Sequence, residues 1–158
     1  MSLLQKIPFQ HVGYLVADRE AACRRMEEMY GLTPWTMVEY KPMKASCYGK
    51  PFQGYYVKAA IHPPVGGCGI ELIQPVSEGM HMDFFRKDPN AVNHVCHTVK
   101  DYETYLKRFL DRGCELIFEA EMEDEIRGYR RCGYAYDPVL RTVFEFAEVP
   151  HFRNRENT

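Results

Sequence analysis

An internal repeat constrains this chain more strongly than any other feature of its sequence. Residues 11–20 read HVGYLVADRE and residues 94–103 read HVCHTVKDYE, so His, Val, Val, Asp and Glu recur in the same register. Each segment begins as a β-rich run and continues, after its Asp, as a charged amphipathic stretch typical of a helix. Self-similarity of this kind indicates a duplicated structural unit. The sequence therefore predicts two similar modules in tandem.

The same order of elements is predicted in both modules. A helix over 18–30 ends at Gly31, and a helix over 101–112 ends at Gly113. Each helix is followed by three runs with strand character, at 32–40, 54–62 and 69–74 in the first module and at 115–122, 129–136 and 142–149 in the second. Each module is thus predicted to be a βαβββ unit, and the fold class is α+β.

We expect the two modules to form a single domain over residues 1–158. Module one covers about 8–76, a linker covers 77–91, and module two covers about 92–149. The linker contains the sequence DFFR at 83–86, which is predicted to form a short helix. A unit of roughly seventy residues is too small to enclose a good active site, so we expect the modules to share one.

Charge and hydropathy exclude two classes of partner. The chain has 20 Lys and Arg against 22 Asp and Glu, and this net charge of −2 lacks the basic excess of a nucleic-acid-binding protein. It has no apolar run of about eighteen residues, which a membrane span requires. The N-terminus has no signal-peptide pattern, so a reducing, cytoplasmic location is expected. Six cysteines without a CxxC pair predict mostly buried, reduced thiols.

Four residues at equivalent positions of the repeat carry the candidate chemistry. His11 and His94 open the two modules, and Glu71 and Glu145 close them, each Glu lying between two large apolar residues of a strand. Alternation along a strand points each Glu away from its apolar neighbours. If the modules pair around a pseudo-twofold axis, all four side chains meet. Two imidazoles and two carboxylates suit a divalent Zn, Ni, Co, Mn or Fe ion, with two positions left for substrate oxygens.

The other histidines compete for these roles. A lone His on a strand is usually a hydrogen-bonded core or surface residue, so it is the repeat that favours a metal site. His97 lies three residues after His94, and regular alternation points it to the opposite face of the strand. His62, His81 and His151 have no counterpart in the repeat and are expected to be structural or exposed.

A basic stretch at 41–53, KPMKASCYGKPFQ, interrupts the strands of module one. It carries three Lys and no acidic residue, which would attract an anionic substrate, but a solvated loop is the simpler expectation. Arg127, Arg130 and Arg131, beside the strands of module two, are open to the same two interpretations.

The repeated βαβββ unit with this His/Glu pattern resembles the vicinal oxygen chelate superfamily, which includes glyoxalase I, methylmalonyl-CoA epimerase, extradiol dioxygenases and bleomycin-resistance proteins. The resemblance covers about 8–149. The sequences QHVG at 10–13, GIELIQPV at 69–76, NHV at 93–95 and VFEF at 143–146 are similar to the four ligand-bearing strands of that family. The resemblance implies a glyoxalase-like fold, in which both modules form one cupped, mixed and largely antiparallel sheet.

The resemblance also implies a metal-dependent isomerase or lyase acting on a small carboxylate or thioester. In such enzymes the metal chelates adjacent substrate oxygens, and a carboxylate removes a neighbouring proton to give an enolate. His11, Glu71, His94 and Glu145 are then the metal ligands. Glu145 is the first candidate for the catalytic base, and Glu71 is the second catalytic residue. Single-domain members of the family further imply a homodimer.

Several positions depart from particular branches of the family. Leu15 and Pro75 stand where glyoxalase I commonly has an Arg and an Asn, which puts a glutathione substrate in doubt. Some epimerases use a further carboxylate ahead of the second ligand, whereas no Asp or Glu occurs here between Glu39 and Glu71. A fourth ligand argues against extradiol dioxygenases, which use two His and one Glu. A non-enzymatic, bleomycin-resistance-like binding protein stays as the alternative, because it holds a small molecule in the same cavity.

Overall fold

A computed structural model describes residues 9–88, 92–124 and 128–148. The elements of these residues occur in the following order: β1 (Phe9–Leu15), α1 (Arg19–Tyr30), β2 (Thr36–Tyr40), β3 (Lys44–Cys47), β4 (Lys50–Phe52), β5 (Val57–Val65), β6 (Cys68–Pro75), α2 (Met80–Lys87), β7 (Val92–Val99), α3 (Tyr102–Leu110), β8 (Glu115–Asp124), β9 (Gly128–Asp137) and β10 (Thr142–Glu148). None of the described helices is long and apolar enough to cross a membrane.

All the described strands belong to one curled sheet with the order β2-β5-β6-β1-β7-β10-β9-β8-β3-β4. In module one, β1 is parallel to β6, and the β6–β5 and β5–β2 pairs are antiparallel. In module two, β7 is parallel to β10, and the β10–β9 and β9–β8 pairs are antiparallel. The predicted α+β fold, with two βαβββ units in one mixed sheet, is confirmed.

The modules meet along the antiparallel pair β1–β7, which carries a pseudo-twofold axis. Val12 lies opposite Val95, and these two residues occupy the same position of the repeat. On either side of this pair, Gly13 of β1 faces His94, and Cys96 of β7 faces His11. Gly13 and Cys96 each follow the histidine of their own module by two residues. The register therefore relates the two halves of the sheet as the repeat predicted.

Both outer helices begin at their predicted capping residues, and α1 also ends as predicted, whereas α3 ends at Leu110, short of the predicted 112. The side chain of Asp18 accepts a hydrogen bond from the backbone N–H of Ala21 at 2.8 Å, and Asp101 caps α3 in the same way. Gly31 ends α1 in the left-handed conformation, with φ of 66°. Apolar residues of α1 and α3 pack on one face of the sheet, whereas the largest cluster of buried residues occupies the other face. The candidate site lies on this second face.

One predicted strand of module one is displaced along the chain. β5 runs over Val57–Val65 rather than 54–62, and it continues through Pro63 and Pro64, beyond the predicted end of the strand. A register shift between His62 and Val65 accommodates these prolines, because proline lacks the N–H that a regular ladder needs. The turn itself consists of Gly66 and Gly67, which both have positive φ.

The basic stretch 41–53 is not a solvated loop, and this expectation was wrong. It folds into the hairpin β3–β4, and β3 pairs with β8 of module two. The hairpin turns through Tyr48 and Gly49, which both adopt positive φ as two-residue hairpin turns require. One of its lysines pairs with β8, since Nζ of Lys44 lies 3.1 Å from Oε1 of Glu121, whereas Lys41 pairs with Glu39 of β2 at 3.5 Å. A segment of module one thus extends the sheet of module two.

The linker forms a longer helix than the sequence predicted. α2 extends from Met80 to Lys87, beyond the 83–86 segment with apolar character. Its first turn is buried, because Met80 and His81 project towards the large apolar cluster. The six cysteines are free and five of them are buried, in agreement with the reduced thiols predicted.

Candidate metal centre

Strand register positions the four candidate ligands around the pseudo-twofold axis. Glu71 pairs with Gly13 across β6 and β1, and Glu145 pairs with Cys96 across β10 and β7. Each of these partners follows the His of its module by two residues. Because alternate side chains of a strand share a face, the His and the Glu of each module point to the same side of the sheet.

The ligand atoms of the four residues converge. Nε2 of His11 lies 3.2 Å from Oε2 of Glu71 and 3.3 Å from Oε2 of Glu145. Nε2 of His94 lies 3.4 Å and 3.1 Å from the same two oxygens. The two Nε2 atoms are 3.2 Å apart, and one ligand atom from each residue lies within 4.8 Å of all the others. The structure therefore brings together every residue that the repeat singled out as a metal ligand.

This donor set fits a divalent metal ion. The Nε2 atoms of His11 and His94 face each other. A hydrogen bond between them requires one nitrogen to carry a proton and the other to accept it. Oε2 of Glu145 is buried 3.3 Å from Nε2 of His11 and 3.1 Å from Nε2 of His94, and burial of a carboxylate oxygen costs free energy unless positive charge faces it. Two imidazoles and two carboxylates are ligands that Zn, Ni, Co, Mn and Fe ions accept.

The cluster is strongly polarised when it holds no ion. Burial lowers the pKa of His11, but hydrogen bonds to Glu145 and Glu71 outweigh burial and raise this pKa to about 10. The pKa of His94 is raised by the same two carboxylates, again against the effect of burial. Burial raises the pKa of Glu71, but hydrogen bonds from both histidines lower it to about 2, and the pKa of Glu145 is also lowered. A metal ion entering the cluster must therefore displace protons.

His94 is oriented from behind by Asn93, a residue that sequence reasoning missed. Nδ1 of His94 donates a hydrogen bond to Oδ1 of Asn93 at 2.9 Å, so once the ring is neutral its lone pair is on Nε2, which faces the cluster. Asn93 is itself buried. The dipeptide Asn-His at the start of a strand has no pattern that would have revealed this contact.

Gly13 leaves the space that the ring of His94 occupies. A Cβ atom on Gly13 would lie 2.0 Å from Cε1 and 2.4 Å from Nε2 of that ring. The equivalent position of module two carries a side chain, Cys96, whose Sγ donates a hydrogen bond to Oε1 of Gln10 at 3.3 Å. Burial raises the pKa of Cys96, which keeps this thiol protonated. The repeat is therefore not symmetrical at the positions that flank the two histidines.

The cluster lies in the wall of a cavity of about 350 Å³. His11, Glu71 and Glu145 line this cavity together with apolar side chains of β5, β6 and β8, which include Val57, Ile61, Ile73, Phe118 and Met122. Such a cavity, apolar with a few convergent polar groups, is typical of a small-molecule site. Arg130 and Arg131 also line it, and Arg131 forms an ion pair with Glu148 at 3.4 Å.

The remaining histidines occupy three different environments. His97 packs against the rings of Phe9 and Phe144 on the face away from the cluster, as strand alternation predicted. His62 lines the cavity, and its Nδ1 donates a hydrogen bond to the carbonyl oxygen of Pro63 at 2.9 Å. His151, like Arg127, lies outside the described residues.

His81 is the cavity residue that the repeat could not reveal. It was expected to be structural or exposed, but it is almost fully buried and lines the same cavity as the cluster. Its ring centroid lies 6.5 Å from that of His94. Tyr55, another cavity residue, forms a hydrogen bond with Nδ1 of His81 through its hydroxyl group. Neither residue belongs to a repeated position, which is why the comparison of modules passed over both.

Sequence comparison agrees with this architecture. A sequence model of the glyoxalase/bleomycin resistance protein/dioxygenase superfamily matches residues 10–133. The chain belongs to this superfamily. No curated protein matches the chain itself. The superfamily includes proteins with different chemistry, so the match establishes the family and leaves the reaction to be argued from the site.

Solved structures of this superfamily's fold cover nearly the whole chain. The methylmalonyl-CoA epimerase of Mycobacterium tuberculosis matches with a TM-score of 0.60 and 18% identity, over 94% of this chain and 92% of that one. A hypothetical protein from Bacillus halodurans matches with a TM-score of 0.61 and 18% identity, over 91% and 95%. A variant of 4-hydroxymandelate synthase from Streptomyces coelicolor matches with a TM-score of 0.58 and 13% identity, over 90% and 49%. These similarities confirm the glyoxalase-like fold.

Proposed function

We propose that the protein is a metal-dependent isomerase or lyase of the glyoxalase or epimerase type. It transfers a proton next to the carbonyl group of a small carboxylate or thioester substrate. The observation that carries this proposal is the convergence of two imidazoles and two carboxylates, within 4.8 Å of one another, in the wall of a small-molecule cavity.

His11, Glu71, His94 and Glu145 are the residues that would hold the metal. A divalent ion held there would polarise a substrate carbonyl and so make the adjacent C–H group easier to deprotonate. The donor set suits Zn, Ni, Co, Mn or Fe and does not select one of them. Fewer protein ligands would suit a dioxygenase, which needs open positions for both its substrate and oxygen.

The two carboxylates supply the acid–base chemistry. Glu71 and Glu145 come from opposite modules, so they approach a bound substrate from the two sides of the pseudo-twofold axis. Both carboxylates contact the histidines through Oε2. We assign the removal of the substrate proton to Oε1 of Glu145. Where the reaction also requires proton transfer on the opposite face of the substrate, we assign it to Oε1 of Glu71.

Two arginines of the cavity wall offer positive charge to an anionic substrate, although Arg131 is already paired with Glu148 and Glu103. Arg130 and Arg131 are part of its wall, and an arginine binds a carboxylate or phosphate oxygen more strongly away from bulk water. Among proteins with this fold, a methylmalonyl-CoA epimerase has been solved in complex with methylmalonyl-CoA. We therefore place acyl-CoA thioesters of small carboxylic acids first among the candidate substrates.

Metal analysis tests the site directly. We expect near-stoichiometric divalent metal in protein purified without chelator, and its loss in His94→Ala and Glu145→Ala. Glu121→Ala, which removes a carboxylate of β8 that pairs with Lys44, is the matched control and should keep its metal. If the two site variants hold as much metal as the wild type, the proposed centre is wrong.

Exchange of solvent deuterium tests the reaction. The metal-loaded protein should incorporate deuterium next to the carbonyl of methylmalonyl-CoA or a related thioester. Glu145→Gln and Glu71→Gln each retain an oxygen for the metal but lose a carboxylate that can accept a proton. The rate of exchange should fall by about 10²-fold or more in whichever variant removes the catalytic base. No exchange across a panel of thioesters and hydroxy or oxo acids would overturn the enzymatic proposal.

The alternative is a binding protein that sequesters a small molecule without transforming it. The aliphatic and aromatic wall of the cavity favours this second candidate, because such a surface holds an apolar ligand without chemistry. Wild-type protein that is metal-free and cannot be loaded with any of the five metals would support it. We further propose a cytoplasmic homodimer, and a monomer in sedimentation analysis at micromolar concentration would contradict the dimer.

A further inference from the structure

The linker helix α2 brings a second imidazole system to the cavity. His81 lies in the first turn of α2, and only about 3% of its surface is exposed. Its ring is surrounded by the rings of Tyr55, Phe118, Tyr134 and His94, at centroid distances of 5.8, 5.9, 5.2 and 6.5 Å. It is not one of the four residues whose ligand atoms converge. His81 is therefore fixed beside the metal centre without belonging to it.

The two nitrogens of His81 have different surroundings. Nδ1 forms a hydrogen bond with the hydroxyl group of Tyr55. Nε2 is buried and has no hydrogen-bond partner among the described residues, although the residue lines the cavity. Buried polar nitrogens nearly always have a partner, and one without a partner that borders a ligand cavity points to the ligand.

The hydrogen bonds of Tyr55 determine which nitrogen carries the proton. The hydroxyl oxygen of Tyr55 accepts from the backbone N–H of His81 at 3.4 Å, and among the described residues Nδ1 of His81 is the only acceptor that the hydroxyl proton can reach. Burial raises the pKa of Tyr55, which therefore stays protonated. A ring nitrogen that accepts a hydrogen bond carries no proton of its own, so the imidazole of His81 is neutral. The tyrosine proton then goes to Nδ1, and the single proton of the neutral ring resides on Nε2.

We propose that the Nε2–H group of His81 donates a hydrogen bond to an oxygen atom of the substrate, and that Tyr55 is the positioning residue that fixes this tautomer. The inference rests on the proposed function. As the substrate loses its proton to a carboxylate of the centre, negative charge develops on its carbonyl oxygen. A preorganised neutral imidazole stabilises such charge without exchanging its own proton. The substrate class is thus a carbonyl compound with an acceptor oxygen directed at α2.

Nitrogen NMR of the wild-type protein tests the tautomer and the contact without any variant. Protein with ¹⁵N-labelled histidine is loaded with Zn²⁺, and oxalate is the probe because its adjacent oxygens bind metals. We expect the His81 ring to be protonated on Nε2 and not on Nδ1, and oxalate to shift the Nε2 resonance. The inference is overturned if the proton resides on Nδ1, or if oxalate binds and that resonance does not move.

Substitutions test the energetic contribution of the contact. His81→Leu removes the donor, and oxalate affinity of the zinc form should fall about tenfold while its zinc content stays at the wild-type level. His81→Gln offers an amide N–H at a similar reach and should recover part of the affinity. Tyr55→Phe should allow the ring proton to occupy both nitrogens in the NMR spectrum. His62→Gln is the matched control, a cavity histidine that should leave the NMR signature of His81 unchanged.

The outcomes separate this inference from the function on which it rests. If the wild type exchanges deuterium into a thioester, His81→Leu should lower kcat about 10²-fold with little change in KM, and His81→Gln should restore part of it. If no thioester exchanges but oxalate moves the Nε2 resonance, the proposed reaction fails and the assignment of His81 stands. A wild type that binds no metal would overturn both proposals, and equal kinetics in His81→Leu and wild type would overturn the inference alone.

Discussion

The two histidines of the centre occupy equivalent positions in the repeat, yet the protein supports them differently. His94 is fully buried, is bonded through Nδ1 to Asn93, and occupies the space left by Gly13. His11 has a side chain that is 13% exposed and borders the cavity. Duplication has therefore reproduced the candidate ligands but not their surroundings. Module two provides the rigidly held imidazole, and module one provides the imidazole next to the cavity.

The largest expected effect comes from removing each histidine in turn. His94→Ala and His11→Ala should each weaken metal binding by more than about 10²-fold, beyond what the loss of an outer hydrogen bond costs. His94→Ala should also lower the free energy of unfolding by about 3–5 kcal/mol, because it leaves two buried carboxylates to share the single imidazole of His11. His11→Ala should cost less, since water from the cavity can replace its ring. Chelator competition and urea unfolding measure the two effects, and equal loss of stability would contradict the asymmetry.

A second test exchanges the residues two positions after each histidine. Gly13→Ala places a methyl group where the ring of His94 lies, and should weaken metal binding by about 10- to 100-fold through displacement of that ligand. It should also destabilise the protein by about 1–3 kcal/mol through overpacking. Cys96→Ala is the matched change in module two and should keep the wild-type metal affinity. A Gly13→Ala variant with unaltered affinity would show that His94 can move freely.

The residues that precede the two histidines give a smaller contrast. Asn93→Ala removes the hydrogen bond that orients His94, and metal affinity should fall about tenfold. Gln10→Ala changes the equivalent residue of module one, whose side chain accepts from Cys96, and should leave the affinity unaltered. Both affinities can be measured by competition with a chromophoric chelator. The same loss in both variants would show that His11 is held as firmly as His94.

The smallest effect concerns pH and is seen in metal-free protein. The pKa of His11 is raised from 6.5 to about 10, so its stabilising effect is complete below about pH 6.5 and is lost as pH rises through 10. The pKa of Glu71 is lowered from 4.5 to about 2, so its effect is complete above about pH 4.5 and is lost as pH falls through 2.

The cluster therefore stabilises the metal-free protein most between about pH 4.5 and pH 6.5. The free energy of unfolding, measured in urea across the pH range, should have its maximum there. His11→Gln should flatten the alkaline side of this profile more than the acidic side. Because metal binding displaces the histidine protons, the rise in Tm caused by zinc should increase from about pH 6 to about pH 9. A zinc effect that does not depend on pH would contradict the protonated state of His11.

Sequence reasoning succeeded where the repeat supplied information. A duplicated strand register determines that Glu71 and Glu145 come to lie beside the two histidines, and the helix caps at Asp18 and Asp101 are local signals. The features that it missed depend on segments without a repeat partner. His81 reaches the cavity only because α2 packs against the sheet, and a tertiary contact of this kind has no periodicity to detect.

The hairpin β3–β4 was missed for a related reason. Its strands are short, and half of their pairing is with β8, whose residues lie some seventy positions later in the chain. A basic composition of this kind is also typical of exposed loops, so propensity and charge both favoured the wrong interpretation. The positive φ of Tyr48 and Gly49 distinguishes this hairpin from an irregular loop. Sequence alone does not predict a positive φ at Tyr48, because residues other than glycine seldom adopt one.

The same hairpin limits how far the curled sheet can open. β2 and β3 lie near opposite ends of the strand order, yet Tyr40 and Lys44 are only four residues apart in the chain. A chain of that length spans at most about 14 Å, so the two margins of the sheet must lie close together, almost as in a closed barrel. Pro42, in this short crossing, and Tyr55, in the return after β4, both border the cavity. Residues 41–43 thus hold the two margins of the sheet together, and a proteolytic cut there would remove this constraint without altering any of the four candidate metal ligands.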